Sequence, residues 1–506
     1  MKNIASLLSR KSFFWVIIAL FVVQSAWIAL SGRYPMAFDE DFHLGIIRLF
    51  AQHWSPFWSA QPAGADVFGA VSRDPSYLYQ WLMSFPYRLI STFTSDQTLQ
   101  VLFLRAINIG IFAWALVLYR NLLLKFKSSR AQIHAVLLIF VLIPVVPLLA
   151  AQINYDSLFL AATAASLLLT VRLNQELTDY KRVNVRVLIT LLSVGLLGSL
   201  IKFAYLPIFA AILGFIVYRC WRVYPTARKF LHSLVFGATL LTRRSQLVLA
   251  IVFVLSLGLF VERYGVNLMR YHEPIPDCGV VLSIEQCQQY GPWARDHTFE
   301  LSKDHDSTAE KNSPVNFTVD WFYGMWMRSF FAVDGPSTQF QTRGPLVLPG
   351  IGAIALSASA FLAVIVTGKQ IWRRYDKQAL ALSGVVTALY VALLWLQEHK
   401  AFVHTGHSVA INGRYLFPIL PMVILVGVLG WSELLRRRPR VKVALLSLAI
   451  LALIWGGGAL TYILRSNDAW YWPGSNPVKS INHGLQNTLG PITPGYRTPT
   501  QFLGNN

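Results

Sequence analysis

Long apolar runs, separated by short polar connections, recur along most of the chain. They lie at 13–31, 99–119, 133–151, 157–171, 187–201, 204–218, 246–262, 347–367, 379–397, 416–434 and 443–463. Each approaches the length an α-helix needs to cross about 30 Å of hydrocarbon. The pattern predicts an all-α polytopic membrane protein with about eleven transmembrane helices. The stretch 188–218 is long enough for two crossings, and Lys202 and Pro207 divide it. The first run follows Lys2, Arg10 and Lys11. It is too long for a secretory signal and lacks a small-x-small site before Gly32, so it reads as a retained helix.

The connections alternate in charge. Basic clusters fall at 120–130, 172–186, 219–244, 369–377 and 436–442, on every second connection. Lys and Arg accumulate on the cytoplasmic side of membrane proteins. This predicts a cytoplasmic N-terminus and places 32–98, 263–346, 398–415 and 464–506 outside. The chain is therefore expected to divide into an N-terminal transmembrane module, 1–262, with outer loop 32–98. An outer loop, 263–346, C-terminal helices at 347–463 and an outer tail, 464–506, follow. The segment 32–98 carries Trp54, Phe57, Trp58, Tyr77, Tyr79 and Trp81, a composition expected of helices lying on the membrane surface.

Composition narrows the function classes. Of 506 residues, 55% are hydrophobic and only 13% charged, against roughly 25% charged in soluble domains. A water-soluble body and a disordered chain are both excluded. The net charge of +20 suggests nucleic acid at first sight, but the basic residues sit between the spans, so topology accounts for them and no nucleic-acid partner is implied. Cys278 and Cys287 fall in the second outer loop, where an oxidising compartment permits a disulfide. Cys220 falls on the basic side and is expected to be a free thiol.

In a chain this poor in charge, ionisable residues at span ends point to chemistry. The densest cluster is Asp39, Glu40, Asp41 and His43, just beyond the first span. Its acids repel one another unless a cation or proton sits among them. Asp156, in Asn154-Tyr155-Asp156, occupies a tight outer turn, where it serves as a helix cap, a functional carboxylate or both. Lys202 and Arg414 lie in short outer turns with little route to water, and with Arg73 they suit a phosphate or diphosphate. Arg105 reads as a side chain snorkelling to the interface. His43, His404 and His407, joined to the carboxylates, leave a divalent metal open, but no spacing compels one, and no metal ligands are assigned.

These motifs resemble those of the GT-C superfamily of integral-membrane glycosyltransferases. The resemblance rests on Asp39-Glu40 with His43 four residues on, Asp74-Pro75-Ser76-Tyr77-Leu78-Tyr79, Leu104-Arg105-Ala106-Ile107-Asn108, Asn154-Tyr155-Asp156 and the Lys202 turn. Phe330-Phe331-Ala332-Val333-Asp334-Gly335 and Gly413-Arg414-Tyr415-Leu416-Phe417-Pro418 are similar to a bacterial branch related to the dolichyl-phosphate-mannose protein mannosyltransferases. His43 stands where many members carry Tyr, and the Tyr77 stretch lacks a Lys that some members place before the Pro. The resemblance implies a multi-pass enzyme of a bacterial inner membrane with a periplasmic active site. Its donor would be a polyprenyl-phosphate (undecaprenyl-type) sugar, and its acceptor an O-antigen, a lipid-linked glycan or another envelope glycan.

On this reading Asp39 is the general base, with Glu40 and Asp156 beside it in the catalytic group. Asp41 and His43 hold the acceptor or tune Asp39, and like-charge repulsion raises the Asp39 carboxyl. Lys202, Arg414, Arg73 and Tyr415 receive the donor phosphate. Direct displacement implies inversion at the sugar carbon. Two other classes fit a many-spanning basic protein: a glycolipid transporter or flippase without chemistry, and an O-antigen polymerase or ligase. The ionisable residues gather at one membrane face and no internal repeat is visible, which favours an interfacial enzyme over a transporter.

Overall fold

The computed structural model describes residues 2–36, 38–302, 313–330, 332–333, 342–343, 347–409, 411–455, 457–474 and 477–493. Among these, β structure is limited to a two-residue antiparallel pair, Ala332–Val333 with Thr342–Arg343, and a single bridge between Gly32 and Tyr471. The rest is helix and connection. Eight helices are long and apolar enough to cross a membrane, and three shorter apolar ones accompany them.

The principal helices are α1 (Phe13–Ser31), α2 (Glu40–Ala51), α3 (Leu78–Ser91), α4 (Gln97–Leu124), α5 (Arg130–Leu142), α6 (Asp156–Tyr180), α7 (Val185–Ile201) and α8 (Leu206–Val223). After them come α9 (Arg243–Phe260), α10 (Pro314–Phe330), α11 (Val347–Arg374), α12 (Lys377–Thr405), α13 (Leu420–Leu434) and α14 (Pro439–Ile454). Their limits follow local chemistry. Ser129 and Gln132 form a reciprocal cap at the start of α5, and Asp96 accepts from the Thr98 N–H at the start of α4. Lys202 separates α7 from α8, and Pro207 occupies the first turn of α8, as the sequence predicts. The expected span 133–151 is broken at Pro144 into α5 and a short helix, Val145–Ala150. The expected span 443–463 divides at Gly457–Gly458, where Gly458 takes a positive φ of 54°. Within 32–98, where the composition predicts helices, the structure has α2 and α3.

The bundle has two chemically different ends. At one end the basic connections meet: the Asp376 N–H donates to the Phe126 carbonyl and the Asp376 carboxylate lies 3.6 Å from Lys127, while Arg374 and Tyr375 both reach Glu433. At the other end lie the ends of α1, α7 and α12 and the starts of α4 and α6. Between the ends, α9 and α11 present exposed apolar residues such as Leu247, Ile251, Leu255, Phe361 and Ile365. A belt of this kind is compatible with lipid and not with water.

At the non-basic end, Glu40 and Arg105 are both fully buried. The guanidinium donates from Nε to Glu40 Oε1 at 2.8 Å and from Nη2 to Oε2 at 2.7 Å. Its Nη1 donates to the carbonyls of Ala29 and Gly32, at 2.8 and 2.6 Å. Glu40 also accepts the N–H of Met36 at 2.8 Å and of Ile153 at 3.0 Å. One pair thus joins α1, α2, α4 and the Asn154 turn. Arg105 does not snorkel; Glu40 holds it inside. The tail folds back over this joint: Arg33 donates its N–H to Trp470, and the Trp472 ring lies 5.4 Å from the Arg105 guanidinium.

The second outer loop is tied to the first. Buried Arg263 donates to the carbonyls of Ser72 and Pro56, and Gln286 donates to Asp66 at 3.2 Å. Cys278 and Cys287 are disulfide-bonded and Cys220 is free, as expected.

Removing one partner of a buried, hydrogen-bonded ion pair costs about 3–5 kcal/mol, because the other charge stays behind. Glu40→Ala or Arg105→Ala is expected to lower thermal stability in detergent by this order. The double variant, which leaves no orphan charge, is expected to lose less than the sum of the two, read by a double-mutant cycle of unfolding midpoints.

Candidate functional site

The turn 34–39 delivers Asp39 in the left-handed conformation, φ 69°, immediately before α2. Its carboxylate Oδ2 lies 2.9 Å from Arg414 Nη2. Arg414 is set by its own turn. Asn412 Oδ1 accepts the Arg414 N–H at 3.0 Å, and Gly413 presses on α10 so closely that a Cβ there would fall 2.5 Å from the Met325 carbonyl oxygen. Only glycine permits that approach.

Lys202, at the junction of α7 and α8, points its ammonium at Asp156 Oδ1, 2.7 Å away, with both side chains buried. Asp156 stands in the first turn of α6, with no side-chain cap there, and its second oxygen, Oδ2, is buried without a hydrogen-bond partner among the described residues. The two ion pairs converge on one aromatic ring. Lys202 Nζ is 4.9 Å and the Arg414 guanidinium 5.3 Å from the centroid of Tyr415. The expected approach of Lys202 and Arg414 is therefore realised around Tyr415. Tyr155 adds a second ring, 4.5 Å from Lys202 on one side and 4.5 Å edge-on to His43 on the other.

The acidic cluster is resolved residue by residue. Glu40 is consumed by Arg105 and two backbone N–H groups, so its expected catalytic role is corrected: it is a structural anchor. Asp41 is exposed and free of ion pairs among the described residues. The expected upward tuning of Asp39 by its neighbours is corrected as well. Burial does push the Asp39 carboxyl up, but Arg414 beside it, with His43 and Lys202, outweighs burial and holds it below the usual range. Burial lowers the Lys202 ammonium, against the pull of Asp156.

His43 is buried, shares its Nδ1 with the Gln80 amide at 3.1 Å, and is pushed down to about 4 by burial, so it is neutral at physiological pH. Arg73 does not join Lys202 and Arg414. It pairs with Glu262 at 3.0 Å in the wall where the two outer loops meet, which corrects its assignment to the donor phosphate. No group of three or more His, Cys, Asp or Glu side chains converges among the described residues. His404 instead meets Glu300, and the His407 ring lies tilted 4.2 Å from Phe299.

No protein-family profile matches the chain, and no curated protein matches it. Among solved structures, an oligosaccharyltransferase of Archaeoglobus fulgidus is similar, with a TM-score of 0.44 and 12% identity over 92% of this chain and 56% of that one. That protein was crystallised tethered through a disulfide to an acceptor peptide containing the NVT sequon. The present chain spans little more than half of its length.

Beside the charged cluster an apolar groove of about 780 Å³ runs between α5, α10, α11, α12, α13 and α14. Along α11 it extends from Ala353 to Trp372, which at 1.5 Å per residue is about 28 Å, close to the depth of a bilayer core. Its site end is lined by Phe330 and Leu416, the latter two residues from Arg414. Exposed Phe361, Trp372 and Val423 form part of its rim, so the groove faces lipid.

Three contributors were not anticipated. Tyr155 lies within the predicted turn but was not singled out; its place directly before Asp156 in a tight outer turn is a usable signal. Tyr290 follows Cys287 by three residues and packs on Gly69, whose φ of 75° and lack of Cβ admit the ring, and 6.0 Å from Phe42. Nothing in the sequence marks that contact. Glu398 is a buried acid just beyond the apolar run 379–397, which by itself is a flag for function.

The neutral His43 has a stability consequence. Its folded value, about 4, is below the ordinary 6.5, so between these limits the unfolded chain binds the extra proton. Stability is expected to fall as pH drops from 6.5 toward 4 and then level off, by up to about 3 kcal/mol from this group. His43→Gln should flatten that part of the pH profile, measured as denaturation midpoints in detergent.

Proposed function

We propose that this protein transfers a sugar from a polyprenyl-phosphate-linked donor to a glycan or glycolipid acceptor, at the membrane face opposite the basic connections and with inversion. The observation that carries the reading is the apolar groove of bilayer length whose end lies beside Lys202 and Arg414. A polyprenyl tail needs such a groove, and its phosphate needs cations at the groove's end. By the distribution of Lys and Arg the basic end is cytoplasmic and the site periplasmic, in a bacterial inner membrane.

Donor phosphate binds between Lys202 and Arg414, with the Tyr415 and Tyr155 rings as its floor. Both cations are paired with carboxylates beforehand, so the cluster is close to neutral. A phosphate that draws Arg414 toward itself loosens the Asp39–Arg414 pair. The depressed Asp39 carboxylate then becomes a stronger base at the moment the donor is bound. The acceptor hydroxyl attacks the anomeric carbon, its proton passes to Asp39, and the carbon–oxygen bond to phosphate breaks with its electron pair on the phosphate. Positive charge grows on the sugar ring in such transfers. Asp156, with its unpartnered Oδ2, stabilises that charge. Asp41, exposed one residue away, and His43 flank the acceptor side.

Asp39→Asn is expected to cut transfer by about 10² to 10⁴, the usual loss for a general base. Arg414→Ala should weaken donor binding more than Arg414→Lys, which keeps the charge but not the planar fork. The measurement is transfer of labelled sugar from polyprenyl phosphate by purified variants at equal amounts. Full activity in Asp39→Asn together with none in Asp156→Asn reassigns the base to Asp156. A wild type that moves the lipid across vesicles and consumes no donor is a flippase instead.

A further inference from the structure

A second recess lies on the membrane-surface helices, apart from the ion pairs of the candidate site. It has a volume of about 520 Å³, and its polar lining is Arg48, Gln52, Tyr87, Arg88, Ser91 and Thr92. No carboxylate lines it. We propose that it binds the phosphate group of an anionic membrane lipid.

Arg88 is held rigidly. It donates to the carbonyls of Phe50, Ala51 and His53 at 2.6, 2.9 and 2.8 Å, which closes the end of α2, and it lies 3.8 Å from the Trp54 ring centroid. Those bonds use Nε and Nη2, and Nη1 is buried without a partner. Arg48, one turn before the end of α2, stands 5.9 Å from the Tyr87 centroid, and its Nε is likewise buried and unpartnered. Neither arginine has an ion pair among the described residues. Two fixed guanidinium groups facing one recess repel each other and leave N–H groups unmet. An anion with several acceptor oxygens satisfies both, and guanidinium matches phosphate in geometry.

The surroundings select a lipid over a free anion. Leu82, Phe85, Leu89 and Phe93 form an exposed apolar stripe on α3 and the turn after it, at helical spacing. Trp54, also exposed, stands at the rim. Gln100, in the first turn of α4, reaches Ser91 of the lining at 3.5 Å and the Thr94 carbonyl at 2.9 Å, so the recess sits beside the start of a helix long and apolar enough to cross a membrane. That is headgroup depth, with the stripe directed to the acyl chains.

The test uses full-length purified protein in detergent, with native mass spectrometry counting bound phosphatidylglycerol and phosphatidylcholine at equal concentrations. Wild type should retain phosphatidylglycerol in preference by about tenfold, the weight of a charge-assisted hydrogen bond. Arg48→Gln should abolish the preference without moving the melting temperature, since Arg48 makes no hydrogen bond to the described chain, and Arg48→Lys should keep part of it. Equal retention of both lipids overturns the proposal, as does a preference that survives Arg48→Gln. Displacement of phosphatidylglycerol by inorganic phosphate at the same concentration also overturns it, because the apolar flank would then contribute nothing.

Discussion

Taking a carboxylate and a guanidinium out of water costs several kcal/mol for each ion, repaid only when every lone pair and N–H finds a partner. Glu40 and Arg105 approach that condition with six hydrogen bonds, two to each other and four to the backbone of α1, its following turn and the turn before α6, which fill four acceptor positions of the carboxylate and use four of the five guanidinium N–H groups. The geometry leaves α2 one orientation relative to α4. Since Asp39 precedes Glu40 and His43 lies one turn on, the same joint aims both. The candidate chemistry of the first outer loop is built on an ion pair that takes no part in it.

Around that joint the site is assembled from ends. Asp39 opens α2, Asp156 opens α6, Lys202 divides α7 from α8, and Arg414 lies in the turn before α13. Helix ends suit such work because they present side chains at the membrane border with backbone groups still available. Four charged groups of alternating sign then settle around Tyr155 and Tyr415. Each carboxylate meets a cation within 3 Å, so the cluster stays folded and poised without net charge. In the proposed reaction, a phosphate arriving along the groove shifts both pairings together, which couples donor binding to the strength of the base.

The outer loops close this arrangement from above. The disulfide and the contacts of Arg263 and Gln286 fix the second loop to the first, and Tyr290 comes to rest on Phe42 beside the acidic turn. The tail performs the same service for the Glu40–Arg105 joint, through Trp470 and Trp472. The loop closure buries the Arg263 guanidinium among backbone carbonyls, and both closures add aromatic rings.

The sequence by itself determined the helical spans, their order, the two chemically distinct ends and the disulfide. Apolar runs and charge clusters are local, and a bilayer reads them locally. It also singled out Asp39, Asp156, Lys202 and Arg414, whose two ion pairs meet around Tyr415. Only the tertiary structure decided which ions pair. Glu40 and Arg105 are 65 positions apart, and Asp39 and Arg414 are 375 apart, so no spacing rule distinguishes the anchor from the candidate base among three adjacent acids. The same holds for Arg73, whose partner Glu262 is 189 residues away. A charge's partner is set by which helix ends the packing brings within a few ångströms, and that packing leaves Glu40 wholly enclosed with its guanidinium and Asp39 about half exposed beside Arg414.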